Sequence, residues 1–349
     1  MSRKISHTII GGRTVVGTGG QGLKIGWFQT NLGNLHWLDV DESTLEAYYL
    51  LAGTNYGYAA GGYNNPAGDT DSIDKWSLSS DANATDVGNL TRSLGAPTIA
   101  GSSSSTHGYA AGGLRAGVQW YDIIEKWTFA SDANATDVAN LTAGRNGCAG
   151  VSSEDYGFVM AGKESGDTRV NKIEKYTFAS DANATDVGDV TVAREQPAGC
   201  SSATHGYCVG GYNGGYSNVI DKVSTSSDGN ATDVGDLATN ANGGAPSSST
   251  SHGYNAGGIG SGDAHLDHIN KFTFASDANA TDIANLTRVK STPCCGATSS
   301  THGYAAGGRL VSGAASVDDI DKYAHASDAN ATDVGNLVVD RYNSTGAQY

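Results

Sequence analysis

The heptapeptide Ser-Asp-Ala-Asn-Ala-Thr-Asp begins at Ser80, Ser131, Ser180, Ser227, Ser276 and Ser327, with Gly229 replacing Ala in one copy. Successive copies lie 51, 49, 47, 49 and 51 residues apart. A turn written six times at a near-constant interval marks six copies of one supersecondary unit. A unit of that size cannot cover its own apolar face and must stack on its neighbours. The 349 residues therefore read as one repeat domain, not as the roughly two or three domains that length alone suggests.

Each unit has the same order of parts. An Arg opens the segment between units at Arg92, Arg145, Arg194, Arg288 and Arg341, and Asn240 takes its place once. A run of small residues follows, such as Ala198-Gly199-Cys200-Ser201-Ser202, which we name strand a. Strand b begins at His107, His205, His252 and His302, with Tyr56 and Tyr156 in the His position. After a loop of variable wording comes strand c, in which Ile173, Lys175 and Thr177 point one way and Glu174 and Tyr176 the other. The repeated heptapeptide then turns the chain, and Thr-Asp-Val opens strand d. With 49 Gly, 5 Pro and no helical period in the repeats, an all-β fold is expected. Radial stacking covers the faces of such four-stranded antiparallel sheets, which predicts a six-bladed β-propeller over 45–349.

The turn has a structural reading and two functional ones. Asp and Asn side chains bond to their own backbone and tolerate turn geometry, so Asp-x-Asn between two strands predicts a self-satisfied hairpin turn, built six times. Asn-Ala-Thr is also a glycosylation sequon, silent without secretion. Asp-x-Asn-x-x-Asp could offer oxygens to calcium, yet it lacks the Gly and the distal Glu of a complete loop, so no metal is expected.

The order Arg194, Gly210-Gly211, Ile220-Asp221-Lys222, Asp228 resembles the kelch repeat: an Arg, a strand ending in Gly-Gly, an aromatic-bearing strand, an Asp-centred turn and a last strand. The resemblance covers about 300 residues, as six units of the spacing above. It departs at the Trp usual after the kelch turn, where Val138 and Val187 stand. Asn-Ala-Thr-Asp-Val-Gly turns and Gly-Tyr-Ala-Ala-Gly-Gly strands also resemble kelch-like repeats of bacteriophage structural proteins. The resemblance implies a propeller of kelch type and a virion protein (tail fibre, receptor-binding or decoration component), made in the host cytoplasm. A cellular kelch scaffold that binds another protein is the alternative, and a galactose-oxidase-like enzyme is a third.

Against the enzyme, His107, His205, His252 and His302 recur at one repeat position, and a residue repeated by unit usually serves the unit. No Ser-His-Asp or paired-carboxylate set stands apart from the turn copies, so no catalytic residue and no cofactor is expected. Thirty-six acidic against 21 basic residues give a net charge of −15. That balance excludes the basic stripe a nucleic-acid grip needs and disfavours anionic membranes. Cys148, Cys200, Cys208, Cys294 and Cys295 are odd in number and without a Cys-x-x-Cys pair, which predicts buried free thiols. The amino end has early positive charge but no apolar core adequate for a signal peptide, and no segment could span a bilayer.

Comparison of the six units with one another separates scaffold from site. The b–c loops differ in every copy and carry Tyr63, Arg115, Trp120, Tyr121, Lys163, Arg169, Tyr212, Tyr216, His265, His268 and Arg309. Aromatic and Arg side chains on loops of a rigid scaffold are the expected contact anchors for a host-surface glycan or protein. Unconstrained drift, or a role for Trp120-Tyr121 at the start of strand c, is the competing reading. Residues 1–44 stand outside the repeat and hold Trp27, Phe28 and Trp37, which reads as an anchoring arm into other virion proteins or a neighbouring copy. Its Gly-Thr-Gly-Gly-Gln-Gly run lacks the rest of a phosphate loop. Strand a of the first unit has two candidates, near Tyr48 or after Arg341. The spacing from Arg341 to Thr345-Gly346 copies that from Arg145 to Ala149-Gly150 and favours the carboxyl end, while Ser43–Glu46 is a capping box that predicts a short helix over 44–52.

Overall fold

A computed structural model describes residues 55–348 except 96–98, 116–118, 293–294 and 311–314, together with the backbone of four earlier strands. Those four, Ser6–Ile10, Arg13–Gly17, Lys24–Trp27 and His36–Asp39, form one antiparallel meander. The helix expected over 44–52 and the candidate strand near Tyr48 lie outside the described residues. Elsewhere every regular element described is a strand, apart from a three-residue 3-10 turn at Ser261–Asp263.

The repeat resolves into six antiparallel sheets of four main strands each, the first with a fifth short strand, Tyr63–Asn64, on its strand c. Sheet 1 runs Thr345–Gln348 (a), Tyr56–Ala60 (b), Gly68–Ser77 (c) and Thr85–Leu94 (d). In sheet 2 the strands are Ala100–Ser103, His107–Ala111, Ile123–Thr128 and Thr136–Asn140. In sheet 3 they are Ala149–Ser152, Tyr156–Met160, Lys172–Thr177 and Thr185–Asp189. Sheet 4 uses Ala198–Ser201, His205–Val209, Val219–Ser224 and Thr232–Asp236. Sheet 5 uses Ala245–Ser248, His252–Gly260, Ala264–Thr273 and Thr281–Asn285. Sheet 6 uses Cys295–Thr298, His302–Arg309, Ser316–Ala324 and Thr332–Asn336. Strand a of sheet 1 is the carboxyl-terminal one: Thr345 pairs with Ala60 and Gln348 with Gly57, as the Arg341 spacing implied.

Both faces of each sheet are covered. Ala100, Tyr109 and Ile124 of sheet 2 share a core with Val159, Tyr176 and Ala184 of sheet 3. Corresponding cores join sheets 1 and 2, 3 and 4, 4 and 5, 5 and 6, and 6 and 1. Five of the six a strands carry Gly at their middle, where they approach closely: a Cβ on Gly150 would overlap the Gly101 carbonyl, and one on Gly199 the Gly150 carbonyl; sheet 5 has Pro246 there. The same small residues leave hydroxyls to link successive strands, with Ser103 N donating to Ser152 Oγ (2.9 Å), Ser152 N to Ser201 Oγ (3.1 Å) and Gln348 N to Ser103 Oγ (3.1 Å).

Strand c carries an Ile–acid–Lys triplet, and each member has a separate task. Ile73, Ile124, Ile173, Ile220, Ile269 and Ile320 are fully buried. A register shift beside the triplet in all six sheets bends strand c there. The acid that follows is buried as well, facing the segment between units. Arg145 pairs with Glu174, Arg194 with Asp221 (2.8 Å) and Arg341 with Asp74 (2.8 Å), all with no exposed side chain. The reading of five equivalent arginines needs correction, because Arg92 and Arg288 lie further before strand a. Arg92 rests on Glu125 at 2.9 Å, and Arg288 is largely exposed. Lys290 takes the buried place in sheet 6, opposite Asp321. In sheet 5 the acid and the base are both absent, and Asn270 accepts a hydrogen bond from Ala238 N instead.

The Lys of the triplet explains the repeated turn. Lys126 Nζ lies 2.6 Å from Asp181 and Lys271 Nζ 2.8 Å from Asp328; Lys75–Asp132, Lys175–Asp228, Lys222–Asp277 and Lys322–Asp81 complete the set. Each pair joins strand c of one sheet to the turn of the next. The turn Asn does likewise: Asn134 Oδ1 accepts from Asn89 N (3.1 Å), while Ala135 N donates to Asn89 O (2.8 Å). Equivalent bonds reach Asn183, Asn230, Asn279, Asn330 and Asn83. The expected self-bonded turn is therefore corrected for the first Asp and the Asn, which bond between sheets. The final Asp bonds locally in four copies, Asp86, Asp186, Asp233 and Asp333 each accepting from the Gly N two residues on. The motif recurs because one inter-sheet latch is built six times.

Candidate binding face

Antiparallel order puts the a–b and c–d turns at one end of every sheet and the b–c loops at the other. At the loop end, the residue after each buried base pairs with the loop of its own sheet. Tyr342 bridges Tyr63, Glu195 bridges Tyr212, and Ser291 bridges Arg309. This brings several expected anchors together. Arg169 binds Glu195 (2.7 Å) and stacks its guanidinium on Tyr212, 4.8 Å from the ring centre. Lys163 reaches the same carboxylate at 3.3 Å. Tyr212 meets Tyr216 edge to face at 5.3 Å, and the Tyr216 hydroxyl donates to Asp263, a bond that pushes its pKa up to about 12. Arg309 and Tyr63 both pack on Tyr342, at 5.7 and 5.4 Å.

The remaining anchors are placed differently. Tyr121 lies under the Arg92 guanidinium (4.4 Å) and packs against the core between sheets 1 and 2, so it serves the scaffold. His268 is not in a loop: it lies on strand c, with Nδ1 on Asp282 of strand d. His265 is half-buried with an unpartnered Nδ1, and burial followed by the nearby Arg309 lowers its pKa. Arg115 and Trp120 belong to a two-stranded hairpin, Leu114–Arg115 with Gln119–Trp120, where Arg115 is exposed and Trp120 half-buried. Braced side chains thus dominate sheets 3, 4 and 6, whereas in sheet 2 Arg115 is exposed on a hairpin of its own.

Sequence reasoning missed Glu195, Asp263 and Tyr342, which hold the anchors in place. Glu195 and Tyr342 each follow a buried Arg directly, and that position was the available signal. At the opposite end, His107, His205, His252 and His302 each bond through Nδ1 to the preceding Thr or Ser hydroxyl at 2.8 Å. Burial and the Lys of strand c lower their pKa values, which keeps the rings neutral. Cys148, Cys200, Cys208 and Cys295 are buried free thiols; burial pushes Cys148 and Cys200 up to about 12 and Cys208 to about 11. Cys294 lies outside the described residues. Among the described residues, no group of three or more His, Cys, Asp or Glu is placed to hold a metal. No family model matches the chain, and no curated protein matches it.

Proposed function

We propose that the six sheets form one closed, kelch-like six-bladed propeller. On this reading the chain is a non-enzymatic bacteriophage virion component, a tail fibre, receptor-binding or decoration protein. Its b–c loops contact a host-surface glycan or protein, and residues 1–44 join it to other virion proteins. Closure is supported by the succession of cores, which leads from sheet 1 through sheet 6 and back to sheet 1. The observation that carries the binding role is the asymmetry between the ends. One end repeats the same latch six times, while the other presents a different set of side chains from every sheet. A rigid frame bearing non-repeating aromatic and Arg side chains is the arrangement a single asymmetric ligand requires.

The experiment is replacement of Arg115 and Trp120 by Ala in the full chain, with binding to host cell envelopes and the melting temperature both recorded. Binding should fall at least tenfold, the scale expected when an interface anchor is removed, with melting nearly unchanged. Unchanged binding by the folded variant, with loss of binding on removal of residues 1–44, would reverse the two ends and leave the propeller as a spacer.

A further inference from the structure

Sheet 6 departs from its neighbours at one buried point. Where sheets 1, 3 and 4 place Arg341, Arg145 and Arg194 against the strand c acid, sheet 6 places Lys290 against Asp321, 2.9 Å away, with neither side chain exposed. A second acid, Asp319, lies 3.6 Å from the same Nζ and has 6% of its side chain exposed. The residues two before the strand c acid in the other sheets are Ser72, Ile123, Lys172, Val219 and, before Asn270, His268, so the extra carboxylate occurs only beside the lysine. Lys290 Nζ and Asp321 Oδ2 have only this ion-pair cluster for partners, Asp319 Oδ2 also meets the exposed Arg288 Nε at 2.8 Å, and Asp321 Oδ1 accepts from Thr287 at 2.6 Å. A guanidinium cannot give up its proton in a protein and is a poor nucleophile, whereas a buried lysine amine can.

We propose that Lys290 and Asp321 join in an intramolecular isopeptide bond, with Asp319 as the proton carrier. The ammonium passes one proton to the Asp321 carboxylate, leaving a neutral amine beside a carboxylic acid. The Lys290 nitrogen attacks Cγ of Asp321, and a C–N bond forms. Asp319 takes the surplus proton from the nitrogen and hands it to the departing hydroxyl. The C–O bond breaks, water leaves, and Asp319 returns to its starting state. The product is an amide plus one water, so no oxidant or other co-reactant enters. Burial raises the Asp319 pKa, although Lys290 and Arg288 oppose it, and so helps it hold a proton. The reaction also removes two charges that are costly to keep in the interior, and the bond would tie the segment before sheet 6 to the middle of its strand c.

The test is the intact mass of the purified, folded full chain. It should be lighter than the sequence mass by one water, and a tryptic digest should contain one branched peptide joining the Lys290 and Asp321 segments. Lys290→Arg restores the pairing of sheets 1, 3 and 4, should fold, and should carry the full sequence mass. Asp321→Asn should lose one ammonia instead of one water, and Asp319→Asn should leave a large unreacted fraction. A full-mass wild-type chain would overturn the proposal. So would a one-water deficit that survives in Lys290→Arg, since it would place the dehydration elsewhere, as at Asp228-Gly229.

Discussion

The two ends of the sheets obey different rules. At the c–d end, Lys126 with Asp181 and Asn134 with Asn89 recur in register around all six sheets. At the b–c end a backbone bridge recurs, as Tyr342 to Tyr63 and Glu195 to Tyr212, but the side-chain contacts differ: Arg169 rests on Glu195 and Tyr212, Tyr216 on Asp263, and Arg309 on Tyr342. A repeated bond must be satisfied by every pair of neighbours, so a change in one turn breaks a contact in another sheet. A loop braced within its own sheet or by a single neighbour carries no such obligation. Divergence at the loop end therefore reflects freedom from a bond repeated at every interface, since its inter-sheet contacts, Arg169 on Tyr212 and Tyr216 on Asp263, each occur once, and this freedom makes the end usable for recognition.

The largest expected effect is beneath both ends, in the buried pairs. Replacing Arg194 by Ala leaves Asp221 charged and buried and should cost about 3–5 kcal/mol. Adding Asp221→Asn reproduces the uncharged arrangement that sheet 5 already uses at Asn270 and should recover most of that loss. Urea denaturation of the two single variants and the double variant measures the coupling. Additive costs would mean that the pair is not the unit that sheet 5 lost whole.

Sheet 5 also shows how much of this was open to reading. The strands, their order, the buried thiols and the closing strand after Arg341 were legible, because each is carried by local wording or by one constant spacing. The triplet Ile220-Asp221-Lys222 was equally visible, and its acid is missing at Asn270, where Ala241, next to Asn240, makes the backbone bonds that Arg145 and Arg194 make elsewhere. That joint loss could have paired acid with base. The latch was not legible, because Lys126 and Asp181 are 55 residues apart and each looks like an ordinary exposed charge. The exchange of Arg288 for Lys290 was hidden by segments of unequal length, which move the base relative to strand a. Among the loop residues, side-chain type could not separate Arg115 and Trp120 from Arg169 and Tyr212, which are turned towards each other.

A middling effect should be pH-dependent and confined to one contact between sheets 5 and 6. Phe129, Phe178 and Phe274 stack on Tyr58, Tyr109 and Tyr207 of the preceding sheets, at 5.0, 4.7 and 4.9 Å. His325 takes that place on Tyr254 at 4.9 Å, with both ring nitrogens buried and unpartnered. Burial, then the nearby His302 and His252, lower its pKa from 6.5 to about 4. Between those values the unfolded chain binds more protons than the folded one. Stability is therefore full above pH 6.5 and falls as the pH drops towards 4, by about 3 kcal/mol for this group. The four histidines of strand b add to the fall with the same sign. His325→Phe should flatten this component and raise the melting temperature at pH 5 more than at pH 8. Equal shifts at both pH values would remove the protonation argument and leave only better packing.

The smallest effect should come from single latches, and it should separate the two bonds that compose each one. Lys126→Ala removes a partly exposed ion pair, worth about 0.5 kcal/mol and screened by salt. Asn134→Ala removes the acceptor for Asn89 N, at about 1 kcal/mol, with no dependence on ionic strength. Melting curves at low and high salt distinguish them: the lysine variant should approach wild type as salt rises, and the asparagine variant should not. Equivalent substitutions in two distant sheets, such as Asn134→Ala with Asn279→Ala, should add, because the bonds they break share no partner. Destabilisation greater than the sum would show that the latches act together, so that slackening one interface strains the others. The repeated turn would then be kept identical by the whole set of sheets rather than by each neighbouring pair.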